Sequence, residues 1–201
     1  MLDAVLQWFC DNWLEVFGVI SSLLFIYLEI KQRNSMWAVG FVSSAVYVVV
    51  FFQNGFFAFS ALYVYFVAAS VYGMYCWRYN TGNATAERHV CRLKLRLGIV
   101  LALITIVLFA GIGYVLDNYI ESSNVPPYGE ALAVALNIVA TWMLARKILE
   151  QWLLWIFTNF FSAGLYFWCE LYPTAGLFAV YGILSIVGWY KWKQSYDNQA
   201  Q

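Results

Sequence analysis

The sequence predicts an all-α integral membrane protein with seven transmembrane helices in a 3+1+3 parallel repeat. Composition is the first observation. Of 201 residues, 63% are hydrophobic and only 11% charged, and mean hydropathy is +0.68. Soluble domains are about 45–50% apolar and about 25% charged, so a globule of this size has no interior large enough for the surplus. The second observation is seven long apolar runs separated by short polar breaks. The third is an internal repeat that survives without gaps.

The runs lie at 13–30, 37–53, 58–77, 97–116, 129–145, 152–169 and 174–192. Each approaches the length of about 20 residues that a helix needs to cross a hydrocarbon core. They are continuously apolar and lack the strict alternation of barrel strands, which points to helices. The breaks, at 31–36, 54–57, 78–96, 117–128, 146–151 and 170–173, collect the polar and turn residues.

Charge sorts the breaks by side. The eleven cations are Lys31 and Arg33, then Arg78, Arg88, Arg92, Lys94 and Arg96, then Arg146 and Lys147, and finally Lys191 and Lys193. With seven spans all of them fall on one side, and the other side holds only acids: Asp3, Asp11, Glu15, Asp117, Glu121, Glu130 and Glu170. The excess of Lys and Arg on cytoplasmic loops then predicts an outside N-terminus and a cytoplasmic C-terminus.

Several functions are excluded. A net charge of zero argues against a nucleic-acid partner, because phosphate binding needs a basic excess. The four cysteines, Cys10, Cys76, Cys91 and Cys169, contain no CxxC pair and have only His89 to join them. No metal and no cofactor is therefore expected, and the thiols are read as buried in apolar helices. There is no Gly-rich phosphate loop, no nucleophile beside a base and no HExxH motif, so no enzyme is expected. Asn83-Ala84-Thr85 fits a glycosylation acceptor, but the charge rule places it and His89 in a cytoplasmic loop.

A shift of 115 residues pairs Glu15 with Glu130, Lys31 with Arg146, Trp37 with Trp152, and Ser70 with Ser185. It also pairs Gly73 with Gly188, Tyr75 with Tyr190, Trp77 with Trp192, and Arg78 with Lys193. The single membrane domain thus divides into a three-helix repeat at 13–77, a linking helix at 97–116 and a second repeat at 129–192. Four crossings separate equivalent helices, so the copies share one orientation. Transporters built this way bind their substrate near the midplane between the halves.

No Asp, Glu, Lys or Arg lies in the middle of a run. Glu29 and Glu130 lie within about a turn of a span end, from where charges reach the interface. Pumps and ion-coupled carriers keep a mid-membrane acid despite its cost of about 3 kcal/mol, so its absence favours a passive facilitator. In the sixth run Trp152, Trp155, Asn159, Ser162 and Tyr166 are spaced 3, 4, 3 and 4 apart and share one helical face. That stripe suits a planar, hydrogen-bonding, cationic solute, since a cation over Trp or Tyr gains about 0.5–2 kcal/mol. Trp152, at the span end, is read as an interfacial anchor, and Trp155 and Asn159 as lining the pathway. The equivalent positions of the second run are Trp37, Gly40, Ser44, Tyr47 and Phe51. Tyr63, Ser70, Asn137, Trp142, Tyr181, Ser185 and Glu29 complete the candidate set. Each of these also fits ordinary interhelical packing, which membrane bundles use freely.

The stretch Ala145-Arg-Lys-Ile-Leu-Glu-Gln-Trp-Leu-Leu-Trp-Ile-Phe-Thr-Asn159 resembles the signature of the PnuC family of vitamin transporters. The N-terminal run NWLEVFGVISSLLFIYLE and the closing GWYKW are similar to that family too. The resemblance covers nearly the whole chain. It implies a SWEET-like bundle in the bacterial inner membrane and facilitated uptake of a vitamin-type solute, first of all nicotinamide riboside, trapped inside by a cytoplasmic kinase. Riboside-type members carry Gln on the third helix and Asn seven residues later, where this chain has Tyr63 and Ser70. The ending Tyr27-Leu28-Glu29 and the Tyr-rich third run look closer to a thiamine-type branch, so thiamine uptake by the same mechanism is the alternative. A membrane assembly or signalling subunit is the reading outside transport, and association with further copies of the chain stays open.

Overall fold

The structure, a computed structural model, describes residues 13–53, 57–79, 89–119 and 125–199. Among them the apolar runs form seven helices: α1 (Trp13–Ile30), α2 (Ser35–Gln53), α3 (Phe57–Tyr79), α4 (Leu95–Tyr119), α5 (Pro127–Ala145), α6 (Gln151–Trp168) and α7 (Tyr172–Gln199). The only pairing outside helices among these residues is an isolated parallel bridge between Cys91 and Ile148. Most boundaries fall within three residues of the expected ones. The exception is the end of α7, where the helix continues through Lys191, Lys193 and Asp197 to Gln199. Hydropathy marks where a helix leaves the hydrocarbon, and the backbone ladder continues beyond that point.

Five helices, α1, α2, α4, α5 and α7, are long and apolar enough to cross a membrane by length and composition. In α3 and α6 the tyrosines, tryptophans and small polar residues dilute the same apolar pattern. Outward-facing side chains are apolar: Ile20 and Leu24 on α1, Leu103, Ile106 and Val107 on α4, and Phe157 on α6 are exposed. In hydrocarbon a helix satisfies its backbone groups internally and is free to expose such a surface.

The chain divides into two compact units, Met1–Tyr79 and Asn80–Gln201. In the first, α2 packs against α1 and α3. In the second, packing runs α4 on α5, α5 on α6 and α6 on α7.

The turns that end α1 and α5 share one geometry. Gln32 and Lys147 adopt left-handed φ values of 54° and 52°. Their amides donate to Glu29 O and Leu144 O, both at 2.9 Å, while the next amides, of Arg33 and Ile148, reach back to Leu28 O and Met143 O at 2.9 and 3.0 Å. This is the Schellman closure, which satisfies carbonyls that the helix end leaves without donors. The residues involved are related throughout by the 115-residue shift seen in the sequence.

The same shift relates the packing behind the turns. In the first unit Trp37 lies edge-on to Trp77, with centroids 5.8 Å apart, and over Gly73. In the second, Trp152 lies edge-on to Trp192 at 5.7 Å and over Gly188. Trp152 is fully buried, which corrects its reading as an interfacial anchor. A Trp at a span end serves either role, and here the glycine opposite gives the ring a slot inside the unit. Glu29, expected to reach the interface, is instead 3% exposed. The cysteine expectation also needs revision: Cys76 is buried in α3, but Cys91 and Cys169 are half-buried in connections.

Candidate functional site

The second unit gathers its polar groups along the inward face of α6. Gln151, Trp152, Thr158, Asn159 and Ser162 are buried there, in the register that the spacing predicts for one helical face. Asn159 Nδ2 donates to Ser185 Oγ on α7 at 3.1 Å, a buried side-chain pair. Ser185 Oγ in turn donates to Tyr181 O at 2.7 Å. Trp155 Nε1 donates to Gln151 Oε1 at 2.6 Å, one turn earlier on the same helix. Next to Asn159, the Thr158 hydroxyl is buried without a partner. Tyr166 stacks on Phe178 at 5.2 Å, and Phe178 meets Tyr181 edge-on at 6.0 Å.

Among the predicted residues of this unit, Asn159, Ser185 and Tyr181 are thus brought into one hydrogen-bonded chain, and Trp155 lies one turn before Asn159. Asn137 is half-buried on α5, where its carbonyl accepts from Thr141 Oγ1 at 2.8 Å. Gln151 and Thr158 were not foreseen. Gln151 falls in a polar break, where a glutamine reads as solvated, although its spacing of four from Trp155 was a usable signal.

The first unit places its candidates differently. Tyr47 and Tyr63 meet at 5.0 Å between ring centroids, with Phe51 5.4 Å and Phe66 5.8 Å from Tyr63. The Tyr47 hydroxyl reaches Leu14 O at 3.4 Å. Ser44 is buried on α2, and Ser70 is buried on α3 with its hydroxyl turned back to Phe66 O at 2.8 Å. Glu29 is buried in the last turn of α1. An open apolar cleft of about 570 Å³ between α1 and α2, lined by Trp13, Phe17, Ile20, Leu24, Val42 and Ser43, contains none of the predicted residues.

The two units differ where bulk is placed. At Gly40 an added Cβ would stand 2.9 Å from Phe25 and 3.1 Å from Ser70 Oγ. The shift of 115 turns Gly40 into Trp155 and Phe25 into Ala140, so the large side chain moves from the first helix of the trio to the second.

A segment before α4 clamps the turn between α5 and α6. Cys91 exchanges backbone hydrogen bonds with Lys147 O and Leu149 N at 3.0 and 2.9 Å. The Glu150 carboxylate takes the Leu93 amide at 2.7 Å and pairs with Arg92. The hydrogen bond that Arg92 Nε donates to Glu150, with the carboxylate's charge, raises the Arg92 guanidinium above its ordinary pKa. Arg92 also lies 5.9 Å from the centre of the Tyr196 ring, and Val90 N donates to Gln199 Oε1 at 3.2 Å.

The fold and this face define a multi-pass helical membrane protein with an amide, an indole and hydroxyls on one helix. Comparison with known proteins gives the family. The description "Nicotinamide mononucleotide transporter" matches residues 12–194, and the chain belongs to that family, the PnuC family that its α6 sequence resembles. A relative named nicotinamide riboside transporter PnuC, from Escherichia coli (strain K12), is 24% identical over 92% of this chain and 86% of its own length. The protein of the same name from Haemophilus influenzae is 25% identical over 90% of this chain and 80% of its own. The crystal structure of the vitamin B3 transporter PnuC shares the fold, with a TM-score of 0.72, 20% identity, and coverage of 98% of this chain and 87% of that one.

Proposed function

We propose that this chain carries nicotinamide riboside across the bacterial inner membrane by facilitated diffusion, with its N-terminus outside and its C-terminus in the cytoplasm. The observation that carries the reading is the α6 face, where a buried amide at Asn159, bound to Ser185, lies one turn from the indole of Trp155. An aromatic wall beside an amide suits a flat cation bearing hydrogen-bonding groups. The Trp–Gly–Trp packing and the Schellman turns recur at one spacing in α1–α3 and α5–α7, which supports a 3+1+3 duplication linked by α4. The named relatives supply the solute. No acid lies mid-span to couple a proton, so accumulation comes from phosphorylation by a cytoplasmic kinase.

One observation favours thiamine as the second reading. Tyr63 is packed among Tyr47, Phe51 and Phe66, and the Ser70 hydroxyl is spent on its own helix. Neither offers the amide that riboside-type members carry there. Uptake of labelled nicotinamide riboside into proteoliposomes tests the proposal. Uptake should stop at equal concentrations on both sides and continue only when a riboside kinase and ATP are enclosed. Uptake of thiamine alone would install the second reading, and accumulation without a kinase would refute passive transport.

A further inference from the structure

The geometry points to Gln151 as a positioning residue for substrate recognition: it holds the Trp155 indole by its N–H, so that the ring presents only its π face to the solute. This inference rests on the transport reading above. Gln151 is fully buried at the first position of α6, where a polar side chain without partners would be costly. Its Oε1 lies 2.6 Å from Trp155 Nε1, a short bond for an N–H donor. The two indoles that pack on glycine lack such a partner. Trp37 Nε1 and Trp152 Nε1 are buried with no acceptor, which suits rings whose work is packing against glycine. Trp155 is half-buried, so part of its ring is accessible while its N–H is taken.

The repeat sharpens the contrast. The first unit has Met36 where the second has Gln151, and Gly40 where it has Trp155. The acceptor is present in the unit that has the ring and absent from the unit that lacks it. With its N–H engaged, the ring loses rotational freedom about its side-chain torsions, and its recognition is confined to stacking and cation–π attraction. The predicted ligand face at this point is therefore a flat, electron-poor ring with no acceptor directed at the indole.

Gln151→Met tests this, since Met36 holds the equivalent place in the first unit and the swap keeps an unbranched side chain of similar volume. Protein labelled with [15N]Trp gives indole N–H resonances, and that of Trp155 is identified by its loss in Trp155→Phe. In Gln151→Met the Trp155 resonance should move upfield while the other indole signals hold their positions. Nicotinamide riboside should bind about 5- to 10-fold more weakly, the effect of one hydrogen bond. In the Trp155→Phe background the same substitution should have no further effect on binding, as a double-mutant cycle requires of a residue acting through another. Additive losses, or an unmoved Trp155 resonance, would overturn the positioning role. Wild-type protein that keeps the indole shift but binds neither nicotinamide riboside nor thiamine would overturn the transport reading, and the role with it.

Discussion

Trp152 and Gly188 touch so closely that a Cβ on the glycine would stand 2.3 Å from the indole ring, and Trp37 and Gly73 repeat the relationship at 2.3 Å. Real Cβ atoms do not approach that near. The ring is fully buried and braced by Trp192, so it has nowhere to retreat. Gly188→Ala and Gly73→Ala should each cost about 1–3 kcal/mol, the usual penalty of overpacking a filled core. Gly164→Ala, where nothing lies within 4 Å, should leave stability unchanged or slightly raised through helix propensity. Thermal unfolding in detergent, followed by loss of the monodisperse peak, checks all three.

A second close approach carries its own rescue. An added Cβ at Gly18 would stand 2.2 Å from the Tyr47 hydroxyl but 3.5 Å from Cζ. Gly18→Ala alone should lower the melting temperature, and adding Tyr47→Phe should recover most of the loss, because an ordinary van der Waals distance remains once the oxygen is gone. The second unit supports this complementarity, with Ala133 and Ser162 at the equivalent positions. A double variant no better than Gly18→Ala would count against the contact.

The clamp before α4 should separate backbone from charge. Glu150→Ala removes the acceptor of the Leu93 amide and should cost about 1 kcal/mol, the net worth of one hydrogen bond. It should also speed hydrogen exchange across residues 89–94. Arg92→Ala leaves that amide bonded and should have a smaller effect that vanishes in high salt, since Arg92 is exposed and its pairing is screened. Equal losses from both variants at low salt that both vanish in high salt would show that the ion pair, and not the amide, holds the segment.

Much of this was legible in the sequence because membrane helices are written in long apolar runs and charged breaks. The matching Trp–Gly packing was foreshadowed because Trp37 and Trp152 are large, rare landmarks at a fixed spacing. What the sequence withheld was rotation and depth. A Trp at a span end reads equally as an anchor or as packing, and only Gly188 and Trp192, arriving on the next helix, decide for packing at Trp152. Asn159 and Ser185 were both visible, but their pairing depends on how α6 and α7 turn toward each other. Gln151 was hidden by its place in a polar break, and the clamp at 90–93 by its lack of any periodicity. Glu29 was misjudged for a similar reason, since nearness to a span end says nothing of which way a side chain faces.

The central claim is that the α6 face binds the solute. Its most direct test is titration of purified protein with nicotinamide riboside and with thiamine, following tryptophan fluorescence, in wild type and in Trp155→Ala, Trp155→Phe and Asn159→Ala. The account predicts saturable quenching by riboside in wild type. Asn159→Ala should bind about tenfold more weakly or worse, as expected when a partnered buried amide is removed. Trp155→Phe should retain more affinity than Trp155→Ala, because a π face remains. Riboside binding that is unchanged in both alanine variants, while each still folds, would contradict it.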